Sequence, residues 1–449
     1  MTKKLMYVES YGCAANKFDL EIMLAYMEQA GYSVIKDATS ADVFLVNTCG
    51  VKKPTEDRVI AKLRVLERQN TPLIIAGCLP RINLEAVLKA APSFSAILDP
   101  HSLDKIPLAI RSIEKGEKNR VFFSEKPLLK LRLSKSRLNP VIEIISISEG
   151  CTGACTYCCV RFARGSLLSY PTERIVERVR KAVDEGVKEV WMTSQDNGGY
   201  GTEAGTNLAE LLRECCRVKG KFFIRVGMMN PHHVLHNLPE LIEAYKDEKI
   251  FKFLHLPVQS GDNKVLKRMK RQYTVEQFKD IVHSFREKFP EITLSTDIIC
   301  GFPSEGSDDF ERTLNLIEEV KPDIVNISKF FVRPKTPAKN MEQLDSRDVK
   351  DRSRRLTRLV NTVSFIRNQR WLNWTGNVLV DEKGKGNSWI GRNFTYKPIV
   401  IKASENIFGQ LVRVKVINAF KTYLEGELVE PHPASSLRNL GSGQRYREL

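Results

Sequence analysis

The tightest constraint on this chain is a run of three cysteines, Cys151, Cys155 and Cys158, in Glu149-Gly150-Cys151-Thr152-Gly153-Ala154-Cys155-Thr156-Tyr157-Cys158. Three thiolates at Cys-x3-Cys-x2-Cys spacing can hold three corners of a cubic iron–sulfur cluster and leave the fourth iron open. An open iron can take a substrate or cofactor, so the spacing points to chemistry and not only to a structural staple. The triplet follows an apolar run, Val141-Ile142-Glu143-Ile144-Ile145-Ser146-Ile147, which reads as a buried strand. A cluster loop at the end of a barrel strand is where an active site is expected. A zinc site would need a fourth ligand such as His232, His233 or His255, and the triplet itself requires none of them.

Upstream, three more strand-like runs end in cysteine: Leu5–Ser10 before Tyr11-Gly12-Cys13, Asp42–Val46 before Asn47-Thr48-Cys49, and Pro72–Ile75 before Ala76-Gly77-Cys78. Helical stretches, Asp19–Gln29 and Lys53–Arg68, separate them. Strand–helix–strand alternation predicts a doubly wound parallel sheet. Ligand sites in such sheets gather at the carboxyl ends of the strands, so Cys13, Cys49 and Cys78 are expected to meet as a second metal site. The competing reading is three buried cysteines that happen to end strands.

Six further strand-like runs, Val141–Ser148, Lys188–Ser194, Phe222–Met228, Phe253–Val258, Ile292–Ile299 and Ile324–Phe331, alternate with helical patterns and predict a partial (βα)6 barrel. A capping box, Thr274 and Gln277, opens one of these helices. Polar or glycine residues follow the strands, and Gln195, Asp196, Gln259 and Gly301 are expected to line the mouth. Five short β-rich runs between Gly376 and Leu428 predict a small antiparallel barrel of the oligonucleotide-binding kind. Lys383, Lys385, Arg392, Lys397, Lys402, Arg413 and Lys415 make it positive, and Trp389, Phe394 and Tyr396 could stack on bases or fill its core. The chain thus reads as an α/β multidomain protein: a first domain over 1–125, a basic linker over 126–140, the barrel over 141–345, a basic helical connector over 346–370, the small barrel over 371–430 and a flexible tail over 431–449.

The formal net charge is +16, which suits a polyanionic partner. Two basic clusters strengthen that expectation: Lys126, Lys130, Arg132, Lys135 and Arg137 in the linker, and Arg347, Lys350, Arg352, Arg354, Arg355, Arg358, Arg367 and Arg370 in the connector. Both can equally be solvated linkers or helix faces. Ten cysteines, scattered and including a cluster motif, argue for a reducing compartment and against a secreted disulfide scaffold. No apolar stretch approaches the ~20 residues that span a bilayer, and the first ten residues lack the apolar core of a signal peptide. The expectation is a cytoplasmic protein with no membrane partner.

The triplet followed by Ala163-Arg164-Gly165 resembles the radical S-adenosylmethionine (SAM) methylthiotransferases, which join an N-terminal three-cysteine domain, a radical SAM barrel and a TRAM-type RNA-binding barrel. The stretches Trp191–Asp196, Ile224–Pro231 and Phe253–Gly261 are similar to the archaeal and eukaryotic branch that modifies threonylcarbamoyladenosine in tRNA, and the resemblance covers about 1–430. It implies two [4Fe–4S] clusters, one on Cys151, Cys155 and Cys158 and an auxiliary one on Cys13, Cys49 and Cys78. The first would bind SAM and generate a 5′-deoxyadenosyl radical; the second would hold the sulfur that a second SAM methylates. The target implied is carbon 2 of the modified adenosine at position 37 of the tRNA anticodon loop, and the reaction also needs an electron donor and a sulfur source, neither identified. Gln195, Asp196, Arg225, Gln259 and Gly301 are the expected cofactor- or substrate-positioning residues. Arg225 suits a carboxylate, which both SAM and a threonylcarbamoyl group carry, or else pairs with a core acid.

Two positions depart from the family pattern. Cys159 replaces an aliphatic residue and offers an alternative 151-155-159 spacing; it is expected to point away from the cluster. Lys335, in Arg333-Pro334-Lys335-Thr336, stands where glycine is expected. Of the remaining cysteines, one of Cys215 and Cys216 is expected in the core with the other near the surface, and Cys300 in the core. Two other functions remain open on the sequence: a methylthiotransferase acting on a ribosomal protein, and a non-catalytic iron–sulfur RNA-binding protein.

Overall fold

A computed structural model describes residues 4–429; the tail expected at 431–449 lies outside the described residues. The N-terminal domain is one parallel sheet of β1 (Lys4–Ser10), β2 (Tyr32–Ile35), β3 (Val43–Thr48), β4 (Leu73–Gly77), β5 (Ala96–Leu98) and β6 (Arg120–Phe122), in the order β2-β1-β3-β4-β5-β6. β3 and β4 are buried along their whole length because helices cover both faces. Phe18, Met23 and Met27 of the helix Ala14–Gln29 pack on one face, Val59, Leu63 and Leu66 of Lys53–Glu67 on the other.

In the central domain, β7 (Ile142–Ser146) leads to a short antiparallel pair, β8 (Ser148–Glu149) and β9 (Leu168–Ser169). Parallel strands β10 (Glu189–Thr193), β11 (Phe223–Val226), β12 (Phe253–His255), β13 (Thr293–Cys300) and β14 (Ile324–Lys329) follow, paired as β7-β10-β11 and β12-β13-β14. Backbone bonds from Phe251 N to Ile224 O (3.0 Å) and Met229 N to His255 O (2.9 Å) join the two halves into one open barrel of six main strands. Val190, Met192, Ile224, Val226, Leu254, Leu294 and Ile298 point outward to the helices. Alternation then directs Trp191, Arg225, Phe253, His255 and Asp297 into the lumen. The capping box of Thr274 and Gln277 is present.

The helix Ser346–Gln369 leads to a closed barrel of β15 (Thr375–Lys383), β16 (Ser388–Arg392), β17 (Pro398–Lys402), β18 (Leu411–Ala419) and β19 (Leu424–Leu428), ordered β15-β16-β17-β19-β18. It is antiparallel except where β17 pairs with β19 in parallel, which corrects the all-antiparallel expectation. Tyr396 is not a free stacking surface: it is buried against Phe251 and Phe253 at the foot of the central barrel. Lys397 is likewise buried, with Nζ 2.9 Å from Asp323, and Arg392 is paired to Asp381 at 3.1 Å.

The basic linker is the larger correction. Lys130 Nζ lies 2.7 Å from both Asp19 and Glu149. Lys135 Nζ lies 2.6 Å from Glu21 and 2.9 Å from Glu143, and Arg137 pairs with Glu143 and Glu185. These cations are spent inside the protein, where they strap the first helix to the start of the barrel. Burial alone would raise the Glu143 carboxyl, but Lys135, Arg178 and Arg137 hold it down to about 2.

Candidate active site

Cys13, Cys49 and Cys78 follow β1, β3 and β4 directly and are brought together by the parallel register of those strands. Asn16, buried one helical turn after Cys13, stitches the three loops. Its Nδ2 donates to Tyr11 O and Thr48 O, both at 2.9 Å, and its Oδ1 accepts from the Cys78 thiol at 3.5 Å. Gly77 has φ +99°, and a Cβ there would fall 2.4 Å from Thr48 O, so only glycine lets Cys78 approach the neighbouring loop.

The second set sits on the loop after β8. Gly150 has φ +71°, and a Cβ would fall 2.0 Å from Ser166 O. The loop is held from four sides. Gln195, after β10, accepts from Gly150 N at 2.7 Å. His233, in the helix after β11, is 3.0 Å from Thr152 Oγ1. Arg271 donates to Cys155 Sγ at 3.3 Å, and its Nη2 to Asn230 Oδ1 at 3.0 Å. Ala338 N, beyond β14, donates to Thr156 O at 2.9 Å. Within the loop, Gly153 N donates to Cys151 Sγ at 3.2 Å.

Asp196 stands beside this loop. Its Oδ1 accepts from Asn230 N (2.9 Å) and Gly198 N (3.1 Å), while Oδ2 is buried without a hydrogen bond. Burial, reinforced by Asp196, pushes the Cys151 thiol up to about 11; burial and the neighbouring cysteines push Cys158 up to about 12. Arg225 lies deeper in the lumen. Its guanidinium is 5.3 Å from the ring centres of Trp191, Phe253 and Tyr396, its Nε makes no hydrogen bond, and among the described residues no acid pairs with it. Gln259, at φ +73°, bridges the ends of β12 and β13 through its backbone. Gly301 is turned elsewhere: a Cβ would fall 2.5 Å from Val349 of the helix Ser346–Gln369, so its place in the fold is a close packing of that helix on the barrel.

The residue that ties the two cysteine sets is Arg164, of the run Ala163-Arg164-Gly165. Arg164 is 1% exposed. It donates to Asn16 Oδ1 at 2.8 Å, the same oxygen that takes the Cys78 thiol, lies 2.6 Å from Asp19, and donates to Glu149, two residues before Cys151, at 3.1 Å. With Lys130 it forms a buried four-member network of balanced charge. Burial alone would raise Glu149, but Lys130 and Arg164 hold it at about 2. Asn16 and Arg271 carry no spacing signal of their own. A cue exists for the cysteines: Gly12, Gly77 and Gly150, all at positive φ, immediately precede Cys13, Cys78 and Cys151.

Cys159 is buried against Cys78, Ile82 and Ala163, on the side of the other cysteine set, and donates to Gly50 O at 3.5 Å. Lys335 takes φ +64°, the left-handed turn that explains the glycine expectation there. Cys300 is buried as expected; Cys215 and Cys216 are both buried, which corrects the expectation that one would be near the surface.

All six thiols are free of disulfides. Among the described residues no group of three or more His, Cys, Asp or Glu converges as one metal ion would require. A cubic cluster with one open iron asks for something else, a separate thiolate for each of three irons, and each set offers three such thiols with one cationic neighbour, Arg271 or Arg164. The donor chemistry fits. A cavity of about 400 Å³ opens where the three domains meet. Tyr11 and Gly12 border it next to Cys13, with Lys17, Trp191, Asp381 and Arg392, although none of the six cysteines lines it.

Comparison with known proteins agrees with this arrangement. Family models match the radical SAM superfamily over 145–317, an uncharacterized protein family, UPF0004, over 5–99, and the TRAM domain over 374–429. Among solved structures, the radical SAM methyltransferase TsrM from Kitasatospora setae matches with a TM-score of 0.55 at 14% identity, over 76% of this chain and 77% of that one; the likeness is one of fold. The architecture is that of a radical SAM enzyme with a flanking three-cysteine domain and a TRAM barrel. A probable threonylcarbamoyladenosine tRNA methylthiotransferase from Pyrococcus abyssi is 43% identical over 94% of this chain and 99% of its own length. The human threonylcarbamoyladenosine tRNA methylthiotransferase is 35% identical over 94% of this chain and 74% of its own length. The chain belongs to this family of radical SAM methylthiotransferases. It is a transferase, and SAM and [4Fe–4S] clusters are its cofactors.

Proposed function

We propose that the protein replaces the C2 hydrogen of N6-threonylcarbamoyladenosine, at position 37 in the anticodon loop of a tRNA, with a methylthio group. It consumes two SAM and uses two [4Fe–4S] clusters, one on Cys151, Cys155 and Cys158 and one on Cys13, Cys49 and Cys78. It works in the cytoplasm, where thiols stay reduced; among the described residues no helix is long and apolar enough to cross a membrane. The observation that carries the reading is the tie between the two cysteine sets. One fully buried guanidinium, Arg164, is bound both to Asn16 beside the first set and to Glu149 beside the second.

When bound, the cluster and SAM at the barrel mouth supply a carbon radical strong enough to take hydrogen from a C–H bond with no ionic route. The chain's own residues supply position. Gln195, His233 and Arg271 fix the loop, so the three thiols keep one geometry. Asp196 Oδ2, buried without a hydrogen bond and 3.8 Å from His233 Nε2, is an acceptor for a cationic group of SAM. Arg225, caged by three rings and unpaired, is a carboxylate receptor in the lumen, where the threonyl carboxylate of the substrate would fit. Arg164, Asp19, Glu149 and Lys130 keep the two sets at a fixed separation.

Mass spectrometry of tRNA nucleosides tests the reading. Deletion of the gene should abolish the methylthio form of threonylcarbamoyladenosine. Wild-type protein should restore it and Cys13→Ala should not. Unchanged methylthio-adenosines in the deletion strain would overturn it.

A further inference from the structure

The helix Ser346–Gln369 carries two kinds of cation. One kind is paired with acids of the protein: Arg352 with Glu305 at 2.7 Å and Arg367 with Asp323 at 3.0 Å, both largely buried, and Arg355 with Glu311 at 2.6 Å on the surface. The other kind is Arg347, Lys350, Arg354 and Arg358, which are exposed and make no ion pair among the described residues. Their spacing of three, four and four residues aligns them in one stripe along the helix. It is about 16 Å long at 1.5 Å per residue. Leu356, Val360 and Val363 bury the opposite face. Seven residues past Arg358, Phe365 continues the stripe with 38% of its surface exposed. Asp351 stands at the edge of the stripe and Asp348 farther round; neither is paired with it.

Among the described residues no acid is paired with these four cations. Arg347 stands in the first turn, where the helix dipole disfavours a cation, and Lys350, Arg354 and Arg358 are like-charged i,i+4 neighbours that repel. The direction of the helix supplies a reason. Its beginning lies at the barrel mouth, where Val349 packs on Gly301 and Arg352 donates to Glu305 O at 2.7 Å. Its end lies on the TRAM barrel, where Asn368 donates to Phe420 O at 2.7 Å. Phe420 and Tyr423, exposed and stacked at 4.6 Å, flank that end.

We propose that Arg347, Lys350, Arg354 and Arg358 form a rail for the phosphate backbone of an RNA stem, and that the rail aligns the stem between the TRAM barrel and the barrel mouth so that its loop reaches the cysteine sets. The inference rests on the reading that the substrate is a tRNA. A second copy of the chain, equally basic, is a poor occupant; an evenly spaced polyanion is a good one.

The test is tRNA binding by full-length, cluster-loaded protein across a salt series. The variant R347Q/R354Q/R358Q with Lys350→Gln should weaken binding about tenfold or more near 0.15 M salt. It should also lower the slope of log K against log salt by about three to four, a little under one for each of the four lost phosphate contacts. Iron content and tRNA-independent SAM cleavage should not change. The charge-conserving R347K/R354K/R358K variant should keep the wild-type slope, which separates lost charge from a damaged helix. An unchanged slope in the glutamine variant overturns the rail. So does loss of binding to anionic phospholipid vesicles with tRNA binding intact, which would assign the stripe to a membrane surface. Wild-type protein that fails to bind tRNA at all would instead overturn the functional reading on which the rail rests.

Discussion

Cys151, Cys155 and Cys158 lie on one loop, while Cys13, Cys49 and Cys78 are 36 and 29 residues apart and meet only because β1, β3 and β4 end side by side. The loop set owes its shape to short-range bonds, such as Gly153 N to Cys151 Sγ and Cys158 N to Cys155 O at 3.1 Å. The set at the strand ends owes its shape to a whole parallel sheet and to Asn16. One set is therefore local and the other is a property of the fold. Arg164 makes the pair into one device, because it bonds to a residue next to each.

The largest expected effect separates the two sets chemically. Cys155→Ala should reduce 5′-deoxyadenosine formation from SAM to background. Cys13→Ala should leave that cleavage intact and lose the methylthiolated product. Equal loss of cleavage in both variants would break the distinction between a radical-generating set and a sulfur-carrying set.

Next in size is the tie itself. Removing one partner from a buried ionic network costs about 3–5 kcal/mol, because Asp19 and Glu149 would keep only Lys130. Arg164→Ala should lower the denaturant midpoint accordingly. Arg164→Lys should recover part of the loss, since an ammonium cannot reproduce the fork that reaches Asn16, Asp19 and Glu149 together. A midpoint unchanged in Arg164→Ala would show that the two sets are held apart by packing alone.

The smallest effect concerns the seam below the lumen. Burial, and then Asp381, push Glu189 from 4.5 up to about 8, and burial also raises Asp381. A carboxyl whose folded-state value is raised binds its proton more tightly in the folded chain. Its contribution is therefore whole below about 4.5 and is lost as pH rises toward about 8. Wild-type thermal stability should fall across that window, and Glu189→Gln should flatten the fall. Parallel pH profiles for the two proteins would contradict the assignment.

Much of this was legible in the sequence, for a physical reason in each case. The six cysteines declare themselves by spacing or by ending strands, and strand–helix alternation is a short-range signal. The shortest strands, β5 and β6, carry too few residues to show a period. The linker cations could not be read, because the acids that neutralise Lys130, Lys135 and Arg137 lie on the first helix, on β7 and β8, and at the end of the helix Thr172–Asp184. A charge count sees the cations and not their partners. Arg271 and Asn16 are visible only once the elements that bring them to the thiols have packed, and Tyr396 and Lys397 sit at a seam between domains that no single-domain pattern announces. The connector helix shows the converse. Its cations resemble the linker's in sequence, yet four of them, Arg347, Lys350, Arg354 and Arg358, stay exposed with no ion pair among the described residues.

Counting iron and sulfide in anaerobically reconstituted protein tests the central claim that each set holds a cluster. Wild-type protein should carry about eight iron per chain and Cys13→Ala about four, four per cubic cluster. Wild-type protein that saturates at about four, with Cys13→Ala unchanged, would contradict it.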